Sequence, residues 1–249
     1  MKKFITKSTA VTQIEEITPM VHNITTFMKE ASQDQISEGL SWYPRGYEIV
    51  KHYSKRFNKR PEQVAGIISA LSPGTNWAQN LVDAENLMRG LHFNVPLESI
   101  TTTTYANTNR TKAGKIWLPD LNEGGIYKLL LGVSKTVNKT SHFFVNLLHP
   151  QNNSHVTVDR HTFRIALNTL DSPRIGMTEK RYRHISQAFK LAGKQLGYRG
   201  LEIQAITWVM FRIKFVDPIA LKPSLRLDRF VYSQILYNRK RSVFDDVPF

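Results

Sequence analysis

Three stretches of the chain carry residue types that can do chemistry. In Val156-Thr157-Val158-Asp159-Arg160-His161-Thr162-Phe163-Arg164, a carboxylate stands just ahead of a helical run. An aspartate at that position caps the helix by accepting its orphan N–H groups, a contribution of ~1 kcal/mol. The same N–H groups and the helix dipole keep the carboxylate ionised. Held in that way, it can stabilise a developing sugar cation or activate an attacking group. Capping is the commoner role, and the residues alone leave both open. The second stretch runs Leu130-Leu131-Gly132-Val133-Ser134-Lys135-Thr136 and reaches a further helical run at Lys139-Thr140. A glycine-containing hairpin between two short helices turns backbone N–H groups and a helix N-terminus toward a phosphate. Such contacts hold DNA without reading its sequence. The alternative is an ordinary turn between helices. The third stretch, Ser69-Ala70-Leu71-Ser72-Pro73-Gly74-Thr75-Asn76-Trp77, closes a helix with a small polar loop. It is either a loop pushed toward a ligand or a plain helix end.

The elements that position these residues are helical almost throughout. Met20, Val21, Ile24, Phe27 and Met28 follow one helix face after Thr18. A second helix is expected near Tyr47 to Tyr53. A third opens at Pro61, with Val64, Ile67, Ile68 and Leu71 on its apolar stripe, and ends at Ser72-Pro73-Gly74. Leu81 to Leu91 marks a fourth. Thr101 to Thr104 is read as a loop or a short extended piece, and helical spacing resumes near Lys112. After Gly124-Gly125, two compact helices are expected around Ile126–Leu131 and Thr140–Leu148. His155 to Val158 reads as an extended lead into a helix from Arg160. A basic helix from Thr178 to Leu196 is closed by Gly197, and Glu202 to Ile213 forms the last regular helix. Trp42, Trp77 and Trp208 are assigned to the core, and His142 and His161 to helix surfaces or hydrogen bonds. The expected class is all-α.

Composition narrows the functions that fit. Across 249 residues, 34 Lys and Arg stand against 20 Asp and Glu, a net charge of +14. That excess calls for a polyanionic partner, nucleic acid first. Residues 1–150 hold 17 basic and 12 acidic side chains, and residues 151–249 hold 17 and 8, so the basic excess leans to the second part. With no cysteine there is no disulfide, no thiol nucleophile and no Cys-ligated zinc or iron–sulfur cluster. No His/Asp/Glu spacing makes a metal site. No basic start followed by an apolar run marks a signal peptide, and no run nears the ~18 apolar residues of a membrane span.

Taken together, and in this order, the segments from about Val64 to Ile213 resemble the helix-hairpin-helix (HhH-GPD) DNA glycosylase superfamily of the endonuclease III kind, as a divergent, phage-type member. Leu71-Ser72-Pro73-Gly74-Thr75 is similar to the family's LSAQAT-type loop. Asn109-Arg110-Thr111-Lys112-Ala113-Gly114-Lys115-Ile116 is similar to its N-x-K-A-x-x-I helix start. Leu131-Gly132-Val133 with Lys139-Thr140 is similar to its L-P-G-V-G-x-K-T-A hairpin. The most specific match sets Val158 to Arg164 against V-D-T-H-I-F-R. The chain departs from the pattern by extra residues between Gly132 and Lys139, by Gly74 where many members carry a base-replacing Gln, and by lacking the iron–sulfur loop.

The resemblance implies a two-lobed helical fold with a helix-hairpin-helix motif and a cleft between lobes. Residues 1–42 would form an N-terminal helix packing on the second lobe, 43–148 the hairpin-bearing lobe, 149–215 the second lobe, and 216–249 a basic extension. It implies base-excision N-glycosylase activity on a flipped, damaged or modified base, with AP-lyase activity where a lysine attacks the sugar. Lys139 falls at the attacking amine and Asp159 at the essential carboxylate, on opposite sides of the cleft mouth, with Lys135 the rival amine. Gly132, Val133, Ser134, Lys135, Thr136 and Thr140 would grip the DNA backbone, and Gly74, Asn76 and Trp77 would meet the base region. No metal or other cofactor is called for. The partner would be double-stranded DNA, met by a monomer in the cytoplasm, of a bacterial host if the chain is phage-encoded. Two rival functions are a phage base-hypermodification enzyme on the same scaffold, a pyrophosphorylase or transferase acting on modified thymine, and a non-catalytic DNA-binding protein.

Overall fold

A computed structural model describes residues 17–103, 106–133, 138–170 and 177–216. Their secondary structure is helical, with no strand among the described residues. Ten α-helices follow one another: α1 (Ile17–Met28), α2 (Gln33–Phe57), α3 (Pro61–Leu71), α4 (Trp77–His92), α5 (Ala106–Trp117), α6 (Glu123–Leu131), α7 (Lys139–Leu148), α8 (Arg160–Leu167), α9 (Glu179–Leu196) and α10 (Gly200–Phe211). A 3-10 turn at Leu97–Ser99 and a π-helical turn at Arg212–Val216 complete the set.

The described residues fall into two compact units. One holds 17–43 and 127–216, the other 44–126. In the first, α9 packs on α1 and α10, and α8 packs on α1 and α10. Its core joins Met20, Ile24, Val156, Phe163, Ile185, Phe189, Ile203 and Ile206, all essentially inaccessible. α10 is apolar on nearly every face and almost wholly buried, which is what a central helix must be. Gly39 lets α2 approach it closely: a Cβ there would lie 2.4 Å from the Ile206 Cα. In the second unit α3 packs on α5 and α4, around Ile67, Ile68, Leu71, Leu87 and Met88.

Helix ends follow the residues that mark them. α3 starts with Pro61 in its first turn, α9 is capped by the Thr178 side chain and closed by Gly197 at φ 78°, and α8 opens at Arg160 as expected. The second helix differs from expectation. It begins well before Tyr47 because Ser32 and Gln35 form a reciprocal cap, with the Ser32 N–H donating to Gln35 Oε1 (2.9 Å) and the Gln35 N–H to Ser32 Oγ (3.2 Å). Pro44 stands inside it, where it cannot donate to the Leu40 carbonyl, and the chain passes there from one unit to the other. Thr103 is not part of a strand. Its backbone N–H (3.1 Å) and hydroxyl (2.7 Å) both donate to Asp83 Oδ2.

Candidate active site

The first unit gathers both residues to which chemistry was assigned. The expectation set Lys139 in one lobe and Asp159 in the other, but both belong to this single unit. The unit takes up the chain again at Tyr127, within α6, and so includes the whole of α7.

Asp159 is the N-cap of α8. Its Oδ1 accepts from the His161 N–H (2.9 Å) and the Thr162 N–H (2.9 Å), and its own N–H donates to Thr162 Oγ1 (2.6 Å). This reciprocal cap uses two of the helix's orphan donors. Oδ2 accepts from the Trp208 indole N–H of α10 at 3.1 Å. Burial alone would push this carboxyl's pKa up. The Lys139 ammonium, the His161 ring and the Thr162 donors outweigh that effect and hold it below the ordinary carboxylate value. Asp159 is therefore both a helix cap and an ionised, half-buried carboxylate.

An extended segment delivers it. Val156, Thr157 and Val158 are buried and clamped by side chains from three helices, with a fourth behind one of them. The Tyr182 hydroxyl of α9 accepts from the Val158 N–H (3.1 Å) and donates to the Val156 carbonyl (3.1 Å). His142 Nδ1 of α7 donates to the same carbonyl (3.0 Å). Asn146 of α7 donates to Thr157 Oγ1 (3.0 Å). That oxygen also shares a hydrogen bond with the Tyr43 hydroxyl (3.1 Å), which donates to Gln204 Oε1 of α10 (2.8 Å). Such polar networks fix a single backbone path. His142 is buried and its pKa is lowered to about 4, chiefly by that burial, so it works here as a neutral donor.

Lys139 opens α7 and is half-buried. Desolvation lowers its pKa, the Asp159 charge opposes that shift, and the exposed Arg160 adds to it. Its position in the first turn of a helix adds a further push in the same direction. An amine with a lowered pKa carries more of the unprotonated, nucleophilic form.

The hairpin before Lys139 has an internal brace. Gly132 takes a left-handed φ of 60°, and Val133 beside it is fully exposed. Asn138 caps α7 by accepting from the Ser141 N–H (2.8 Å). It also donates back to the Leu130 (3.0 Å) and Leu131 (2.8 Å) carbonyls at the end of α6. One side chain therefore satisfies both sides of the turn. Thr140 is half-buried in the first turn of α7. Ser134, Lys135 and Thr136 lie outside the described residues, so the choice between Lys135 and Lys139 rests on Lys139's own surroundings.

Gly74, Asn76 and Trp77 belong to the other unit, the first two in the turn from α3 to α4 and Trp77 at the start of α4. Gly74 has φ 79° and is exposed, Asn76 caps α4 by accepting from the Gln79 N–H (2.9 Å), and Trp77 is half-buried. Their local geometry is that of a helix end, a turn and a new cap.

Several site residues escaped the reading of the sequence. Trp208 and Trp42, assigned to the core, are half-buried and meet edge to face with ring centroids 5.9 Å apart. Trp208 lies under the guanidinium of Arg212, 4.9 Å from the ring centroid. Tyr43, Asn146, Tyr182 and Gln204 carried no motif. Asn138 did carry a signal, since Asn just ahead of a helical run is a favoured N-cap residue. Among the described residues no cluster of His, Asp and Glu has the makings of a metal site. No described helix is long and apolar enough to cross a membrane.

The chain belongs to a family of unknown function, DUF7178, whose model matches residues 6–215. No curated protein and no solved structure matches it. The family match spans α1 through α10 and so takes in Lys139, Asp159 and the clamped segment between them.

Proposed function

We propose that the protein is a DNA base-excision N-glycosylase acting on an unstacked base, with the Lys139 amine supplying lyase chemistry. The observation that carries this reading is that one unit holds a half-buried amine at the start of α7 and a helix-capping carboxylate at the start of α8, each in electrostatic contact with the other. A base inside a duplex is out of reach and must be extruded at a cost of a few kcal/mol. Cleavage of the glycosidic bond sends the bonding electrons out with the base and leaves an oxocarbenium-like sugar. Asp159 stabilises that positive charge. The Lys139 nitrogen attacks C1′, and loss of its protons with ring opening gives an imine, from which elimination nicks the strand.

The net charge of +14 suits a polyanionic partner, and the exposed Gly132 turn with the first N–H groups of α7 suits a phosphate. The same reading makes double-stranded DNA the partner of a monomer working in the cytoplasm, of the bacterial host where the chain is phage-encoded. Helix α6, the left-handed Gly132 and the Asn138-capped α7 serve it as a helix-hairpin-helix grip. The test is mass spectrometry of bases released from a panel of modified duplexes. The expected result is a free base from at least one duplex, lost in Asp159→Asn. No free base from any duplex would contradict the proposal, and pyrophosphate released from phosphorylated 5-hydroxymethyluracil DNA would point instead to base hypermodification.

A further inference from the structure

We infer that Trp208 is a positioning residue for the Asp159 carboxylate: its indole N–H fixes the second carboxylate oxygen, so that the group meets a ligand as an oriented anion through Oδ2. The two oxygens have unequal surroundings. Oδ1 is engaged by two backbone N–H groups of the α8 first turn and lies within reach of the Thr162 hydroxyl (3.0 Å). Among the described residues Oδ2 has one donor, the indole N–H at 3.1 Å. A carboxylate oxygen accepts two hydrogen bonds, so Oδ2 keeps the larger acceptor capacity. The indole hydrogen bond sets the plane of the carboxylate, because rotation about its bond to Cβ would break contacts on both oxygens.

Trp208 is itself held. Arg212, four residues on, lies over its face at 4.9 Å, and Trp42 and His161 meet it at centroid distances of 5.9 and 6.5 Å. A cation over an indole face draws electron density toward itself and sharpens the N–H as a donor. The π-helical turn at Arg212–Val216 begins at this arginine, and π turns interrupt a helix often at functional positions. Phe would keep an aromatic ring at this position but could not donate to Asp159. The charged and titratable groups in electrostatic contact with the carboxylate are Lys139 from α7, His161 from α8, Tyr43 from α2 and Tyr182 from α9, with Arg160, Arg164 and Arg212 acting in turn on His161. Beside these groups the indole is an uncharged donor, so its removal leaves the charge count unchanged.

The catalytic consequence rests on the base-excision reading, but the positioning itself does not, and it is measured without DNA. In the full-length protein with ¹³C-labelled aspartate, the Asp159 carboxyl midpoint is followed by NMR in wild type and in Trp208→Phe. Loss of one hydrogen bond to a charged group should raise the midpoint by about one pH unit. A midpoint unmoved within about 0.3 unit would overturn the inference. Should Trp208→Phe fail to fold, the wild-type protein supplies the decisive reading. The Trp208 indole N–H resonance should shift with the same midpoint as the Asp159 carboxyl and lose that titration in Asp159→Asn, and an indole signal indifferent to Asp159 would overturn the inference. If base excision fails while the midpoint moves, the functional reading falls and the positioning stands. If the midpoint stays while bases are released, the reverse holds.

Discussion

Replacement of Asp159 separates its role as a cap from its role as a charge. In Asp159→Asn the amide oxygen can take the place of Oδ1 and keep accepting from the His161 and Thr162 N–H groups. The amide nitrogen then faces the Trp208 N–H, so two donors meet and the indole loses its acceptor. A buried donor left unsatisfied costs about 1–3 kcal/mol. Trp208 is half-buried, so water relieves part of this, and a loss of about 1–2 kcal/mol is expected. Asp159→Ala gives up the cap as well, a further ~1 kcal/mol. In Asp159→Asn combined with Trp208→Phe the opposed donors are gone. That double variant should be more stable than the sum of its singles predicts, by about 1 kcal/mol. Urea unfolding with a constant m value reads the wild type, the three single variants and the double variant. Equal losses in the Asn and Ala variants, or strict additivity in the double variant, would refute the hydrogen-bond assignment on both oxygens.

Other consequences follow from the same geometry. The pKa of His161 is lowered to about 4, first by burial and then by Arg160, Arg212 and Arg164 against the pull of Asp159, so the ring is neutral at pH 7. A folded pKa below the ordinary 6.5 gives stability that is present above 6.5 and lost as pH falls toward 4, so His161→Gln should make the decline of stability over that window shallower. Asn138→Ala removes the α7 cap and two bonds to the end of α6, and should cost about 2 kcal/mol in chemical denaturation. Gly39→Ala forces a Cβ to within 2.4 Å of the Ile206 backbone, where nothing flexible can give way. It should lower thermal stability by about 1–3 kcal/mol through overpacking of α2 on α10.

Much of the helical framework was legible from local chemistry. Pro61, Thr178, Gly197 and the Asp159 cap each mark an end by a rule of the backbone, and the structure places α3, α9 and α8 there. The second helix was expected only near Tyr47 to Tyr53; Gly39, Pro44 and Gly46 are poor helix formers, and the cap that starts α2 is a pair of side chains, Ser32 and Gln35. Asp159 was legible as a helix cap because that role begins with its own helix. Its partners were not, since Tyr43, Tyr182 and Trp208 reach the segment from helices distant in the chain, and nothing in their local sequence records that meeting. The division into units also differs from the sequence-based boundary, because the break falls inside α6 rather than after α7, which puts Lys139 in the unit that holds Asp159.

The central claim is that the amine of Lys139 and the carboxylate of Asp159 act together on one sugar carbon. It is tested most directly by borohydride reduction of the protein on a duplex bearing an abasic site, followed by peptide mapping of the cross-link. The account predicts a covalent adduct on Lys139, absent in Lys139→Met and strongly reduced in Asp159→Asn. An adduct on another lysine, or undiminished trapping by Lys139→Met, would contradict it.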